Sequence, residues 1–153
     1  MTHKRRGALW FGLTSILLAL TPVPALTEPR EDWLEERLIE GMDLGILGDY
    51  PGAVAIFSEL IQIQPDYGEA YFNRGVAWER LNQGPAALAD YSRAIERDPQ
   101  LAEAYHRRGG LWLQQGDRRL GQRDLRQAAE LYRRQNNVSA LEDLQREYPD
   151  LQF

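Results

Sequence analysis

The sequence contains no cysteine, which excludes disulfides, thiolate metal sites and cysteine nucleophiles together. Histidine is nearly as scarce: His3 and His106 are the only two, too few for a histidine-rich metal cluster. Positive charge is in deficit, and the formal net charge of −5 argues against a general nucleic-acid binder. A Gly-rich phosphate loop is missing too, because Gly109-Gly110 falls inside a helical pattern rather than before one. Ser58, Ser92 and Ser139 lack the G-x-S-x-G elbow of a serine nucleophile. Carboxylates are plentiful, yet none lies on an apolar run that would force its pKa upward. These absences point away from an enzyme, a cofactor site or a metal site. What is there suits a packed domain: 153 residues, 43% hydrophobic and 27% charged.

The first 25 residues read as an address. Lys4, Arg5 and Arg6 make a positive start, and Ala8 to Leu20 is a mostly apolar stretch of 13 residues. Thr21-Pro22-Val23-Pro24-Ala25 then supplies helix breakers and the small-x-small pattern of a signal-peptidase site. Cleavage is expected after Ala25, giving an extracytoplasmic protein in a periplasm-like space or an organelle lumen. The apolar stretch is short against the ~20 residues of a membrane span. The alternative is an uncleaved anchor, with the rest of the chain facing the same side. Arg5-Arg6 suggests a twin-arginine signal, but Gly7-Ala8 follows it, and the general secretory route is the better fit. Residues 26–33 read as a linker and the start of the first helix.

Beyond them the chain repeats. Gly41, Gly75 and Gly109 are spaced by 34, as are Leu44, Trp78 and Trp112, and Ala53, Ala87 and Gly121. Phe57, Tyr91 and Leu125 continue the frame, followed by Leu60, Ala94 and Ala128, and Pro65 and Pro99 share it. Such a period without gaps marks a repeat architecture. Each unit reads as two helices about a turn: apolar residues fall at helical spacing over Glu69–Leu81 and Ala86–Arg97, with Asn82-Gln83-Gly84-Pro85 between. Pro51 and Pro85 open second helices, where a missing N–H costs nothing. Pro65 and Pro99 close them. A mid-helix glycine costs ~1 kcal/mol against alanine, so three in register imply close approach of a facing helix, with Phe57, Tyr91 and Leu125 filling the space.

In these residues the chain resembles the tetratricopeptide repeat family. The unit 68–101 carries the family pattern as Tyr71, Gly75, Trp78, Ala87, Tyr91, Ala94 and Pro99. The unit 102–135 keeps Tyr105, Gly109, Trp112 and Ala128 but departs at Gly121, Leu125 and Arg133. The unit 34–67 keeps Gly41, Ala53, Phe57 and Pro65 but departs at Arg37, Leu44 and Leu60. The resemblance implies an all-α fold, a helix-turn-helix α-solenoid of tetratricopeptide-like superhelical form. Glu40, Arg74 and Arg108 stand at the usual leucine place and read as a solvated edge. Residues 136–149 are expected to form a capping helix, with Val138, Leu141, Leu144 and Tyr148 as its apolar stripe and Ser139 as its cap, before a loose tail at 150–153.

The resemblance also implies a function, a protein-interaction adaptor or assembly scaffold. First helices of successive repeats line a concave groove that takes a partner peptide or helix. Carried over by repeat position, the groove residues are Leu38 and Met42 from the first unit, and Phe72, Asn73, Val76 and Arg80 from the second. The third gives His106, Arg107 and Leu113, with Ile39, Glu69, Glu79, Glu103, Gly110 and Gln114 beside them. Taken on its own, His106 reads as solvent-facing. Family members that clamp acidic chaperone tails carry Lys and Asn in the first repeat, Asn in the second, and Lys and Arg in the third. Leu38, Met42, Asn73, Glu103 and Arg107 stand at those places, so only two of five match and that mode is disfavoured.

Charge is uneven along the chain. Residues 26–67 carry 2 basic against 10 acidic side chains, whereas 102–135 carry 8 against 4. The arginines form a solvated face, an anionic docking patch, or one half of a head-to-tail, salt-sensitive self-association.

Overall fold

The computed structural model describes residues 31–151. The expected signal at 1–25, the linker up to residue 30 and the last two tail residues lie outside the described residues. Seven helices follow one another among the described residues: α1 (Glu31–Ile46), α2 (Tyr50–Ile63), α3 (Gly68–Arg80), α4 (Gly84–Arg97), α5 (Ala102–Gln114), α6 (Arg118–Arg134) and α7 (Val138–Glu147). No helix among the described residues is long and apolar enough to cross a membrane.

Local chemistry sets the boundaries. Asp49, Asp117 and Asn137 cap α2, α6 and α7, their side chains accepting from the amides of Gly52, Leu120 and Ala140. Pro51 and Pro85 lie in the first turns of α2 and α4. The turn inside each pair needs one left-handed residue: Gly48 (φ 84°), Asn82 (φ 56°) and Gly116 (φ 88°) provide it at the same 34-residue spacing. This periodic feature goes unremarked in the pattern of apolar residues, because asparagine and glycine differ in every property except tolerance of positive φ.

Helices pack as α1–α2, α3–α4 and α5–α6 pairs, each pair resting on the next, with α7 against α6. The repeated glycines mark close contacts. A methyl group on Gly41, Gly75 or Gly109 would lie 2.5, 2.8 or 2.8 Å from Phe57, Tyr91 or Leu125 respectively. Those three larger side chains are buried beside Ala53, Ala87 and Gly121. Close approach is therefore the reason for the glycines.

Two of the three charges at the seventh place of each unit are not a solvated edge. Arg108 donates to both carboxylate oxygens of Asp124, at 2.7 and 3.2 Å, and to the Ser92 hydroxyl at 3.0 Å. Arg74 repeats the arrangement with Asp90 at 2.8 Å twice and with Ser58 at 3.1 Å. Both aspartates are buried. Each arginine thus ties three helices together: its own, the next helix of its unit, and the second helix of the unit before. The first unit has Glu40 and Ile56 at the equivalent positions and cannot form the pair. There Arg37 bridges Glu40 and Glu59 at the surface, and hydrogen bonds to these carboxylates raise its pKa.

At the carboxyl end, Leu144 is buried and Leu141 and Tyr148 pack with it, but Val138 is 62% exposed and lies off the stripe. Asn137, not Ser139, is the cap. The tail does not begin loosely, since the Leu151 amide donates to the Tyr148 carbonyl at 3.1 Å and its side chain joins the core.

Candidate partner-binding groove

The first helices of the units share one face, and two cavities open on it. The first, of about 380 Å³, lies between α1 and α3, among Met42, Ile46, Tyr50, Asn73, Val76 and Arg80. Its outer lip is apolar. Met42 and Ile46 line it, whereas Ile39 lines a separate depression beside Gln64, Tyr67 and Glu69. Ile39, Met42 and Ile46 follow one another at i, i+3 and i+7 on α1 and are 50%, 44% and 81% exposed respectively. Residues at that spacing form a single stripe, and large apolar side chains left bare in a row differ from the scattered exposure of an ordinary surface. Asn73 is fixed on its own helix, its amide donating to the Glu69 carbonyl at 2.8 Å.

The second cavity, of about 250 Å³, lies between α3, α5 and α7. Its walls include His106, Arg107 and Gly110 from α5, Tyr132 from α6, and Asp143 and Glu147 from α7 with Tyr148 just beyond. His106 is not solvent-facing. Its ring packs edge-on against Tyr132 and Tyr148, at 6.1 and 6.0 Å between centroids, with Nε2 at 3.3 Å from Glu147. Burial lowers its pKa, against the opposing pull of Glu147, so the imidazole is neutral at pH 7. Burial likewise raises the phenols of Tyr132 and Tyr148, which stay protonated. Glu79 joins the units across the groove. It accepts from the Tyr91 hydroxyl at 2.6 Å and lies 3.7 Å from Arg107, while burial, ahead of this bond, raises the Tyr91 phenol.

The structure divides the expected groove residues. Met42, Asn73, Val76 and Arg80 come together at the first cavity, and His106 and Arg107 at the second. Leu38 belongs to the core instead: it is 7% exposed and packs with Leu34, Phe57 and Ala70. Leu113 packs over Gly121, where a Cβ would meet its side chain at 2.5 Å, and so holds α5 to α6. Phe72 is half-buried and inclined on Tyr91, 5.9 Å between centroids, so its ring packs α3 on α4 within the second unit. A position counted from the repeat start gives the helix face, but not whether the neighbouring unit already covers it.

Tyr132, Asp143, Glu147 and Tyr148 are wall residues that repeat counting misses, because they follow the third first-helix. One signal was present. Gly110 stands where the other units have Met42 and Val76, and a methyl group there would lie 2.6 Å from the Tyr148 hydroxyl. The second glycine makes room for α7.

No group of His, Asp or Glu among the described residues has the arrangement of a metal site. The arrangement is that of an α-solenoid built from paired helices, with an apolar-to-polar groove along its first helices. A family model for the tetratricopeptide repeat matches residues 40–110. The TPR2B domain of yeast Sti1, in its complex with pHsp70, is 30% identical over 75% of this chain and 92% of that one, with a TM-score of 0.71. The TPR2AB domain of the same protein, in its complex with pHSP90, is 28% identical over 79% of this chain and 47% of that one, with a TM-score of 0.72. PcrH in complex with the chaperone-binding region of PopB is 22% identical over 78% and 94% of the two chains, TM-score 0.69, a likeness of fold. No curated protein matches the sequence. The chain belongs to the tetratricopeptide repeat family.

Proposed function

We propose that this protein is an exported interaction adaptor, not an enzyme, that holds a segment of a partner protein in its groove. The observation that carries this reading is the bare Ile39, Met42 and Ile46 stripe, of which Met42 and Ile46 line the α1–α3 cavity. Apolar side chains of a partner would cover it, with Asn73 and Arg80 as polar rim. Support comes from solved relatives that are themselves complexes, with pHsp70, pHSP90 or a region of PopB. Export rests on the basic, apolar and small-residue order of residues 1–25. Amino-terminal sequencing of the protein from the exported fraction should begin at Leu26; an intact Met1 in the membrane fraction would make it an anchored adaptor. The groove is tested by cross-linking partners to the full chain and to a Met42→Asp, Ile46→Asp variant. Both side chains are exposed, so the fold persists, and partners that stay bound to the variant would remove the groove from the account.

A second reading, head-to-tail self-association, is favoured by charge. α1 carries six acidic residues against one arginine, and α6 six arginines against two acids. Sedimentation of the full chain at low and high salt decides it: an oligomer that salt dissolves supports this reading, and a monomer at both ends it.

A further inference from the structure

The charge asymmetry along the sequence becomes, in the fold, an asymmetry across it. The six arginines of α6 belong to a second helix, and Arg119, Arg123 and Arg126 line a shallow surface formed by α6 alone, away from both groove cavities. The α5–α7 end of the groove is acidic. The second cavity is walled by Glu79, Glu103, Asp143 and Glu147, and Arg107 is the one permanent cation in that wall among the described residues, while Arg146 outside it pairs with Asp143 at 2.8 Å. Arg107 is already turned toward Glu79, and Arg80 lines the first cavity only. His106 adds no charge while neutral. Two phenol rings, Tyr132 and Tyr148, stand beside these carboxylates, and aromatic faces attract cations as carboxylates do. On the other side of the same groove lies the exposed apolar stripe of α1.

Taking the groove reading above as its basis, we infer that the partner segment is basic and amphipathic. Its apolar side chains cover Ile39, Met42 and Ile46, and a lysine or arginine enters the cavity between α5 and α7. An acidic segment would place its carboxylates against four others and meet repulsion. The convex arginines cannot compensate, because charges beyond ~8 Å are largely screened at physiological salt.

The test is selection of a displayed library of random peptides on the full chain, repeated on two variants. Peptides enriched on the wild type should combine spaced apolar residues with lysine or arginine, and their binding should weaken as salt rises. Glu103→Lys with Asp143→Lys should weaken the selected peptides about tenfold, as loss and reversal of complementary charges does. Both side chains are exposed and neither holds Tyr91 or His106, so the fold is left intact. Met42→Asp should abolish enrichment of the same peptides. Enriched peptides that need Met42 but are acidic or neutral would overturn the inference and leave the groove reading standing. Enrichment indifferent to Met42→Asp, or none at all, would overturn both.

Discussion

Replacing Arg108 by methionine tests how the units are fastened together. Asp124 has a side chain only 2% exposed and takes both main bonds from Arg108, at 2.7 and 3.2 Å. Arg123 also reaches it at 3.2 Å, but from a side chain 65% exposed. Removing Arg108 therefore leaves a buried carboxylate with one solvent-screened partner, and loss of one member of a buried pair costs ~3–5 kcal/mol. With Arg123 still present, the cost should lie near the low end, ~3 kcal/mol. Asp90 has no second arginine, so Arg74→Met should cost at least as much. Arg37 bridges carboxylates that are 53% and 42% exposed; solvent screens them, and Arg37→Met should cost under ~1 kcal/mol. Urea unfolding followed by circular dichroism measures all three. The decisive variant is Arg108→Met with Asp124→Leu, which removes the charge pair together and should recover most of the loss. If the double variant is as unstable as the single, or if Arg37→Met costs as much as Arg74→Met, the buried-pair argument is wrong.

Other consequences are as direct. Gly75→Ala puts a methyl group 2.8 Å from the Tyr91 ring, so crowding of ~1–3 kcal/mol should outweigh the ~1 kcal/mol helix gain and lower the melting temperature. Gly45→Ala, with nothing within 4 Å, should raise it slightly; thermal melts of the pair must move in opposite directions. Asp117→Ala removes the bond from the Leu120 amide and should cost ~1 kcal/mol by urea titration. His106 has its pKa lowered on folding, chiefly by burial, so the unfolded chain binds the proton more readily. Stability contributed there is present above the unfolded value near 6.5 and fades as pH falls toward the folded value. A His106→Gln variant should show a flatter stability profile between pH 7 and 5.

The period in the sequence locates the close helix contacts that repeat. The glycines, the residues that face them and the opening prolines all follow from residue spacing, because the same close contact recurs at 34-residue intervals. The arginine–aspartate pairs repeat as well, yet hydropathy hides them. A charged residue at a helix edge reads as solvated unless its acid, 16 residues away on the next helix, is known to face it. Arg74 and Asp90, and Arg108 and Asp124, share that offset, and the first unit's Glu40 and Ile56 break both halves of it together.

The candidate site is written where the period fails. On α1, the first described helix, Ile39, Met42 and Ile46 stay bare. Leu38, one residue from Ile39, turns inward and is covered by α2 and α3. Reading down one unit cannot distinguish these neighbours, since both are apolar and lie near the expected groove face. At the other end Gly110 replaces a side chain with space, and α7 brings Tyr148, Asp143 and Glu147 into the groove. Repetition therefore builds the scaffold, and each end of the described residues gives it a different chemistry: an apolar stripe on α1, and an acidic, aromatic cavity because an unpaired helix follows α6. A partner segment lying between them would meet both, which ties its composition to the way the solenoid begins and ends.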